Sequence, residues 1–371
     1  MTFRQSPFNP VDALIFCQLS YLPFDNIVPS PGEDAEIYIS EAAQIFANKL
    51  EKKALGKHIL FNCDPEFLKI LGQSTRYKDC ILHSYINIID EAQEKQFSAM
   101  CVYTGLMTFI AFKGTDDSLV GWKEDFNMTF REAIPSQLEA VQYLEKESSF
   151  VKCPLVIGGH SKGGNLAVYA AASCSAKTEE KIQAVYTFDA PGFSGNLIAS
   201  NGFKKVSDRI ISYIPQSSVI GLLFEHGTDF TIIKSSKTGL MQHDLYSWEL
   251  THNDMVKLDS LTQRSRFMDK TLKEWMGSMD NKHRQEVAET LYTILHSAEV
   301  KSVFDLGDDW VASTGKMIRT LGNIDYSTKK IIKRTISSLF ESASNNFDLL
   351  EPKIIPKIKK LRKTIKAGGK K

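Results

Sequence analysis

No stretch of this chain approaches the ~18 consecutive apolar residues that a membrane-spanning helix needs. The opening residues, MTFRQSPFNPVDALIF, do not run from a basic start through a long apolar segment to a small-residue cleavage site, so no secretory leader is expected. The six cysteines, Cys17, Cys63, Cys80, Cys101, Cys153 and Cys174, include no CxxC pair and no Cys/His cluster of zinc-like spacing. Most sit in apolar stretches, and the expectation is reduced, buried thiols in a soluble cytoplasmic protein. Excess charge of one sign is also missing. Against 44 Asp and Glu stand 45 Lys and Arg, a net charge of +1, which argues against bulk affinity for nucleic acid. Neither G-x-x-x-x-G-K-[ST] nor H-E-x-x-H occurs, so no nucleotide, metal or other cofactor is called for.

What is present is ample core material: 371 residues, 43% of them hydrophobic, with no internal repeat. Residues 1–95 read as a mainly helical region packed on the core, with candidates in VDALIFCQLSYLPF, EIYISEAAQIFANKLEKKAL and DPEFLKILGQS. From about Phe97 the pattern changes. SAMCVYTG and MTFIAFKGT are β-rich runs separated at Gly105. Strands CPLVIGG, IQAVYTFDA, RIISYIP and DFTIIKSS then follow, the first two of them interleaved with the helical patterns SQLEAVQYLEKES and KGGNLAVYAAASC. Such alternation predicts an α/β fold, a mostly parallel sheet with helices on its faces, over residues 96–255. After Met255 strands cease, and 256–350 reads as a C-terminal helical region. The tail 351–371 is basic from Lys353 onward, with no Asp or Glu.

One motif carries chemistry. Gly159-His160-Ser161-Lys162-Gly163 matches G-x-S-x-G and sits between the apolar run VKCPLVI and an Ala-rich helical pattern. A strand that turns abruptly into a helix crowds its neighbours and strains the turn residue. Glycines two positions either side relieve the crowding and leave the Ser hydroxyl exposed above the sheet. Unpaired N–H groups at the helix start favour an oxyanion there. Ser161 is therefore the candidate nucleophile; a structural Gly-rich turn with an incidental Ser is the alternative.

Two segments resemble the class 3 (fungal-type) lipases of the α/β-hydrolase superfamily. GGHSKGGNLA is similar to their nucleophile turn, with Lys162 where they often have Leu, and IAFKGTDDSLVGWKEDF is similar to their strand, Gly-Thr-type turn, Asp-Trp and later Asp. NPVDALIFCQLSYLPF, FDAPGF and GLMQHDLYSW resemble more closely the Mbeg1-like family of predicted hydrolases, which implies no particular substrate. The lipase resemblance implies an α/β-hydrolase fold and an oxyanion hole from the backbone N–H of Thr115 and of Lys162. By the same analogy Asp116, Asp117, Trp122 and Asp125 fix the oxyanion loop and the next helix rather than act in catalysis.

In this fold the chain order is Ser, acid, His. His243 follows the last visible strand, where the architecture places its base; His252, nine residues on, is the rival, while His226 precedes that strand and His283 and His296 lie in the later helices. His160, beside the candidate nucleophile, points away from it in a sharp turn and reads either as packing or as support for the residues around the site. Class 3 lipases take their acid after the strand equivalent to RIISYIP, but here Gln216, Ser217 and Ser218 follow, with no carboxylate. Asp189, at the tip of the preceding strand, is the candidate acid, as in pancreatic-type lipases; capping of the turn Asp-Ala-Pro-Gly is its other reading.

The expected activity is hydrolysis of a carboxylic ester, small-molecule or lipid, through an acyl-enzyme. An inactive binding scaffold, a thioesterase or an acyltransferase are the alternatives. The flanking helices, including Tyr21, Leu22, Pro23 and Phe24, either wall an acyl-chain site or cover the sheet faces. STKKIIKRTISSLFESA and the basic tail suit peripheral contact with an anionic membrane, or else form a solvated face and a frayed end; no specific nucleic acid is expected.

Overall fold

The computed structural model describes residues 1–50, 64–116, 118–193, 195–297 and 326–349. Helix α1 (Pro10–Leu19) leads to β1 (Ile37–Tyr38), α2 (Ile39–Leu50), α3 (Pro65–Gln73), β2 (Ile81–Asp90), β3 (Lys95–Tyr103) and β4 (Thr108–Phe112). The chain continues through α4 (Leu119–Asn127), α5 (Pro135–Phe150), β5 (Leu155–His160), α6 (Lys162–Ser173), α7 (Ala176–Glu179) and β6 (Ile182–Phe188). Next come α8 (Gly195–Ala199), α9 (Asn201–Val206), β7 (Ile210–Pro215), β8 (Phe230–Ile233) and β9 (Lys257–Leu258), followed by α10 (Gln263–Gly277), α11 (Asn281–Ser297) and α12 (Tyr326–Asn345). This is an α/β-hydrolase fold.

All nine strands form one sheet in sequence order. The centre, β4 to β8, is parallel as expected, but β1 to β4 pair antiparallel and so do β8 and β9, making the whole sheet mixed. Two readings need correction. The first 95 residues, expected as a mainly helical region packed on the core, also supply strands: β1 and β2 extend the core sheet, and β2 pairs with β3 across the expected boundary. Strands also do not end at Met255, since β9 adds a short edge.

Strand order dictates why the N-terminal region is needed. Right-handed crossovers between successive parallel neighbours all fall on one face. There Ala140, Tyr143 and Leu144 of α5, Leu166 and Ala170 of α6 and Phe203 of α9 pack against Ile110, Phe112, Ile157 and Val185. The other face receives no crossover helix from this series, and α1 covers it. Leu14, Phe16 and Leu19 meet Phe109, Val156, Tyr186 and Phe188, which alternate with the residues of the first face.

Helix α1 is well suited to that position. Asn9 caps it by accepting from the Val11 and Asp12 N–H groups, and Asp12 accepts back from Asn9 N at 2.9 Å. The same buried Asp12 holds Arg76 through Nε and Nη2, both at 2.6 Å, and Tyr77 Oη at 2.7 Å. The pair ties α1 to the segment entering β2.

At the far end, α10 packs on α12 and α4 on α11. Trp275 Nε1 donates to Ser338 Oγ at 2.9 Å, and Phe267 stacks on Phe347. Among the described residues no helix is long and apolar enough to cross a membrane. Of the six cysteines five are described, all free thiols, with Cys17, Cys80 and Cys101 buried. The tail 351–371 and Asp117 lie outside the described residues, so the expected tail contact with a membrane does too.

Candidate active site

Strand β5 ends at His160 and α6 begins at Lys162, which leaves Ser161 as the single turn residue with φ 57° and ψ −133°. A non-glycine residue reaches that conformation only when its surroundings impose it. The imposition is visible at two glycines. A Cβ on Gly159 would collide with the Gly163 backbone, and one on Gly163 with the Phe112 carbonyl. The turn can therefore press against β4 only with glycine at both places.

The residues proposed as base and acid meet. His243 lies in a short 3-10 turn after β8, and its Nδ1 is 2.7 Å from Asp189 Oδ2. The carboxylate accepts, so Nδ1 is the donor. Asp189 is buried at the end of β6, with φ 46°. Its other oxygen accepts from Ser218 Oγ at 2.5 Å and Gly221 N at 3.0 Å. Thus the β7 end, where no carboxylate stands, supplies a hydroxyl that holds the carboxylate arriving from β6. The rival His252 is exposed and does not line the cavity described below.

His160 and Tyr21 form a support that sequence reasoning did not assemble. The His160 ring lies 4.3 Å from that of His243, and its Nε2 donates to the His243 carbonyl at 2.8 Å. With Nε2 the donor, Nδ1 accepts from Tyr21 Oη at 2.8 Å. Burial, first, and the neighbouring His243, second, push His160 well below the usual imidazole range, so it stays neutral. Of the two readings open for Tyr21, Leu22, Pro23 and Phe24, a substrate wall or a cover for the sheet, the structure favours the cover. None of the four lines the cavity: Leu22 and Phe24 belong to the core beneath α1, and Pro23 is exposed.

Lys162 occupies the first helical position, where a backbone N–H has no intrahelical acceptor. Its side chain has a separate role. The buried ammonium donates to Gln96 O and Gln96 Oε1, both at 2.8 Å, and to Glu124 Oε2 at 2.9 Å. Glu124 is fully buried and also accepts from Gln96 N and Ser136 N. This network ties the Ser161 turn to β3, α4 and the start of α5. No local pattern pairs Lys162 with Glu124, 38 residues apart.

Thr115 Oγ1 donates to Asp125 Oδ2 at 2.6 Å, and Asp116 Oδ1 accepts from Ser118 N, so both carboxylates brace the Gly114 loop and the start of α4. Burial raises Asp125 to about 6 despite the opposing influence of Lys162 and Thr115.

Ser161, His243, Thr115, Lys162 and Asp125 line one cavity of about 450 Å³. Its remaining wall is mostly apolar: Trp122 and Phe126 from α4, Phe193, Leu222, and Leu272 and Met276 from α10. Helices added after the core thus contribute to the wall, whereas the N-terminal ones cover the opposite face of the sheet. Asp189 stands behind His243 and is not among the lining residues. The metal-donor grouping found among the described residues lies apart from this cavity, at β2 and β3.

Among solved structures the chain is similar to M37 lipase, with TM-score 0.38 and 13% identity over 58% of this chain and 70% of that one. It is also similar to the lipase of Rhizopus microsporus var. chinensis, with TM-score 0.35 and 15% identity over 67% and 89%. A third is a mutant form of MDLA from Penicillium cyclopium, with TM-score 0.35 and 12% identity over 66% and 83%. No curated protein matches the chain. The Mbeg1-like family profile matches residues 71–293, more than half of the chain, from the end of α3 through the candidate site into α11, and the chain belongs to the Mbeg1-like family.

Proposed function

We propose that this protein is a lipase-like serine hydrolase that cleaves carboxylic esters, with Ser161 as nucleophile, His243 as general base and Asp189 as the acid that orients it. The observation that carries the reading is the 2.7 Å contact of His243 Nδ1 with Asp189, in a site where His243 and the strained Ser161 line one apolar cavity. His243 Nε2 takes the Ser161 proton as Oγ attacks the acyl carbonyl. The backbone N–H groups of Thr115 and Lys162 receive the developing oxyanion. Two such donors contribute about 3 kcal/mol each to lowering the barrier. The imidazolium then protonates the departing alcohol, and water repeats the sequence on the acyl-enzyme to release the acid. No cofactor enters any of these steps.

The substrate class follows from the wall. Trp122, Phe126, Leu272 and Met276 offer burial for an acyl chain, at roughly 0.8 kcal/mol per methylene or about fourfold in kcat/KM. A panel of p-nitrophenyl esters from acetyl to octanoyl tests this with wild type and Ser161→Ala, alongside fluorophosphonate labelling. Rates should climb with chain length, and Ser161→Ala should lose both turnover and label. Undiminished turnover in Ser161→Ala rejects the nucleophile; a flat chain-length profile with Ser161 still labelled rejects only the acyl-binding wall.

A further inference from the structure

A second cluster of chemically active side chains lies away from the cavity, where β2, β3 and α5 meet. His83 of β2 stands directly opposite Cys101 of β3 in the antiparallel register. Glu147 reaches the same place from α5. One donor atom from each, a ring nitrogen, the sulfur and a carboxylate oxygen, lie within 4.8 Å of one another. Cys101 and Glu147 are buried, and His83 is half-buried, which leaves an entry path on its side.

Three features distinguish this cluster from an ordinary polar core. Glu147 Oε1 is buried and has no hydrogen-bond partner among the described residues. A buried carboxylate oxygen left without a donor is costly, so it calls for an occupant. Glu147 also has no cation partner among the described ion pairs. Third, the backbone is distorted to build the place. The β2–β3 register shifts between His83 and Ile86, and Ser84 takes φ 56°, a conformation that favours glycine. The distortion delivers Ser84 Oγ to Glu147 Oε2 at 2.6 Å and to His83 Nδ1 at 3.0 Å. Tyr143 Oη locks it by donating to the Ser84 carbonyl at 2.7 Å.

We propose that His83, Cys101 and Glu147 bind a zinc-class divalent cation, with Ser84 orienting the carboxylate so that Oε1 faces the metal. A nitrogen, sulfur and oxygen donor set suits zinc and excludes magnesium and calcium, which avoid thiolate. Binding displaces the Cys101 proton to solvent, and thiolate plus carboxylate balance the dication. Bond lengths of ~2.0–2.3 Å place tetrahedral ligands about 3.4–3.6 Å apart, so donors within 4.8 Å of one another need close by no more than about 1.4 Å, within reach of side-chain rotation. The fourth position is left to water. Its effect is structural: the metal clips the antiparallel flank of the sheet to α5. Sequence spacing cannot reveal the site, because its ligands come from three elements.

Full-length protein, stripped of metal and kept reduced, is titrated with Co(II) and then Zn(II). One equivalent of Co(II) should produce a sulfur-to-cobalt charge-transfer band that Zn(II) bleaches. Cys101→Ser should lack the band, and His83→Gln or Glu147→Gln should weaken Co(II) binding by more than about 100-fold. Zn(II) at ~100 times its Kd should raise the wild-type Tm by about 4 °C and leave that of His83→Gln unchanged. Folded wild-type protein with no charge-transfer band overturns the proposal. So does a band that persists in Cys101→Ser, which would assign it to another thiol. Should Cys101→Ser fail to fold, His83→Gln decides, and wild-type affinity in that half-buried variant is equally fatal.

Discussion

Replacing Glu124 by Gln should destabilise the protein more than any surface substitution, although Glu124 lies outside the proposed triad. The change leaves the Lys162 ammonium in the core without its counter-charge, where both partners are at most 1% exposed. It also turns an amide NH2 toward one of two backbone donors, Gln96 N or Ser136 N, that now share the two carboxylate oxygens. Breaking a buried pair by removing one partner costs about 3–5 kcal/mol. For a folded unit of about 300 residues, with ~2.1 cal/mol/K of unfolding entropy per residue, Tm should fall by about 5–8 °C. Lys162→Met combined with Glu124→Gln should recover much of that loss, because the uncompensated charge is gone. Glu66→Gln is the control: its pair with Lys69 is 62% and 58% exposed, and removing such a pair changes stability by at most about 1 kcal/mol. Differential scanning calorimetry measures all four proteins. A Glu124→Gln melting temperature within about 1 °C of wild type would refute the reasoning, since it would mean that the buried charge finds another partner or is solvated.

Other expectations follow from individual contacts. Asp189→Asn should lower kcat/KM for ester hydrolysis by about 10⁴-fold, since an amide facing Nδ1 favours the wrong imidazole tautomer; a loss under tenfold removes Asp189 from the triad. Arg76→Ala should lower the urea midpoint by the equivalent of about 3–5 kcal/mol at constant m, because Asp12 is left buried without its counter-charge. Asp125, raised to about 6 by burial, holds more protons folded than unfolded between about pH 4 and 6. Its contribution is therefore favourable below about 4 and is lost as pH rises through 6. Urea unfolding across that window should show wild-type stability falling relative to Asp125→Asn, then running parallel above it; a constant difference would contradict the raised value.

Much of the fold was legible locally. The parallel centre followed from apolar runs alternating with helical patterns, and the sharp strand-to-helix turn from two glycines flanking Ser161. β2 escaped because its alternation breaks: ILHSYINIID slips phase at the bulge between His83 and Ile86, so no single period runs through it. β1 and β9, two residues each, are too short to carry a period at all.

By itself the sequence determined those features whose cause lies within a few residues: strand periodicity, the glycine-relieved turn, the Asn9–Asp12 cap. It also narrowed the proposed base to a loop after the last long strand. Only tertiary structure decided which groups meet. Asp189 and His243 are 54 residues apart, Tyr21 and His160 are 139, and Lys162 with Glu124 joins a helix start to a different helix. Even the cover of the sheet was settled this way. Sequential strand order sends every right-handed crossover to one face, so α1, far away in the chain, must close the other. A local pattern can specify the conformation of its own backbone, but a hydrogen bond between distant side chains depends on the geometry of every element that brings them together.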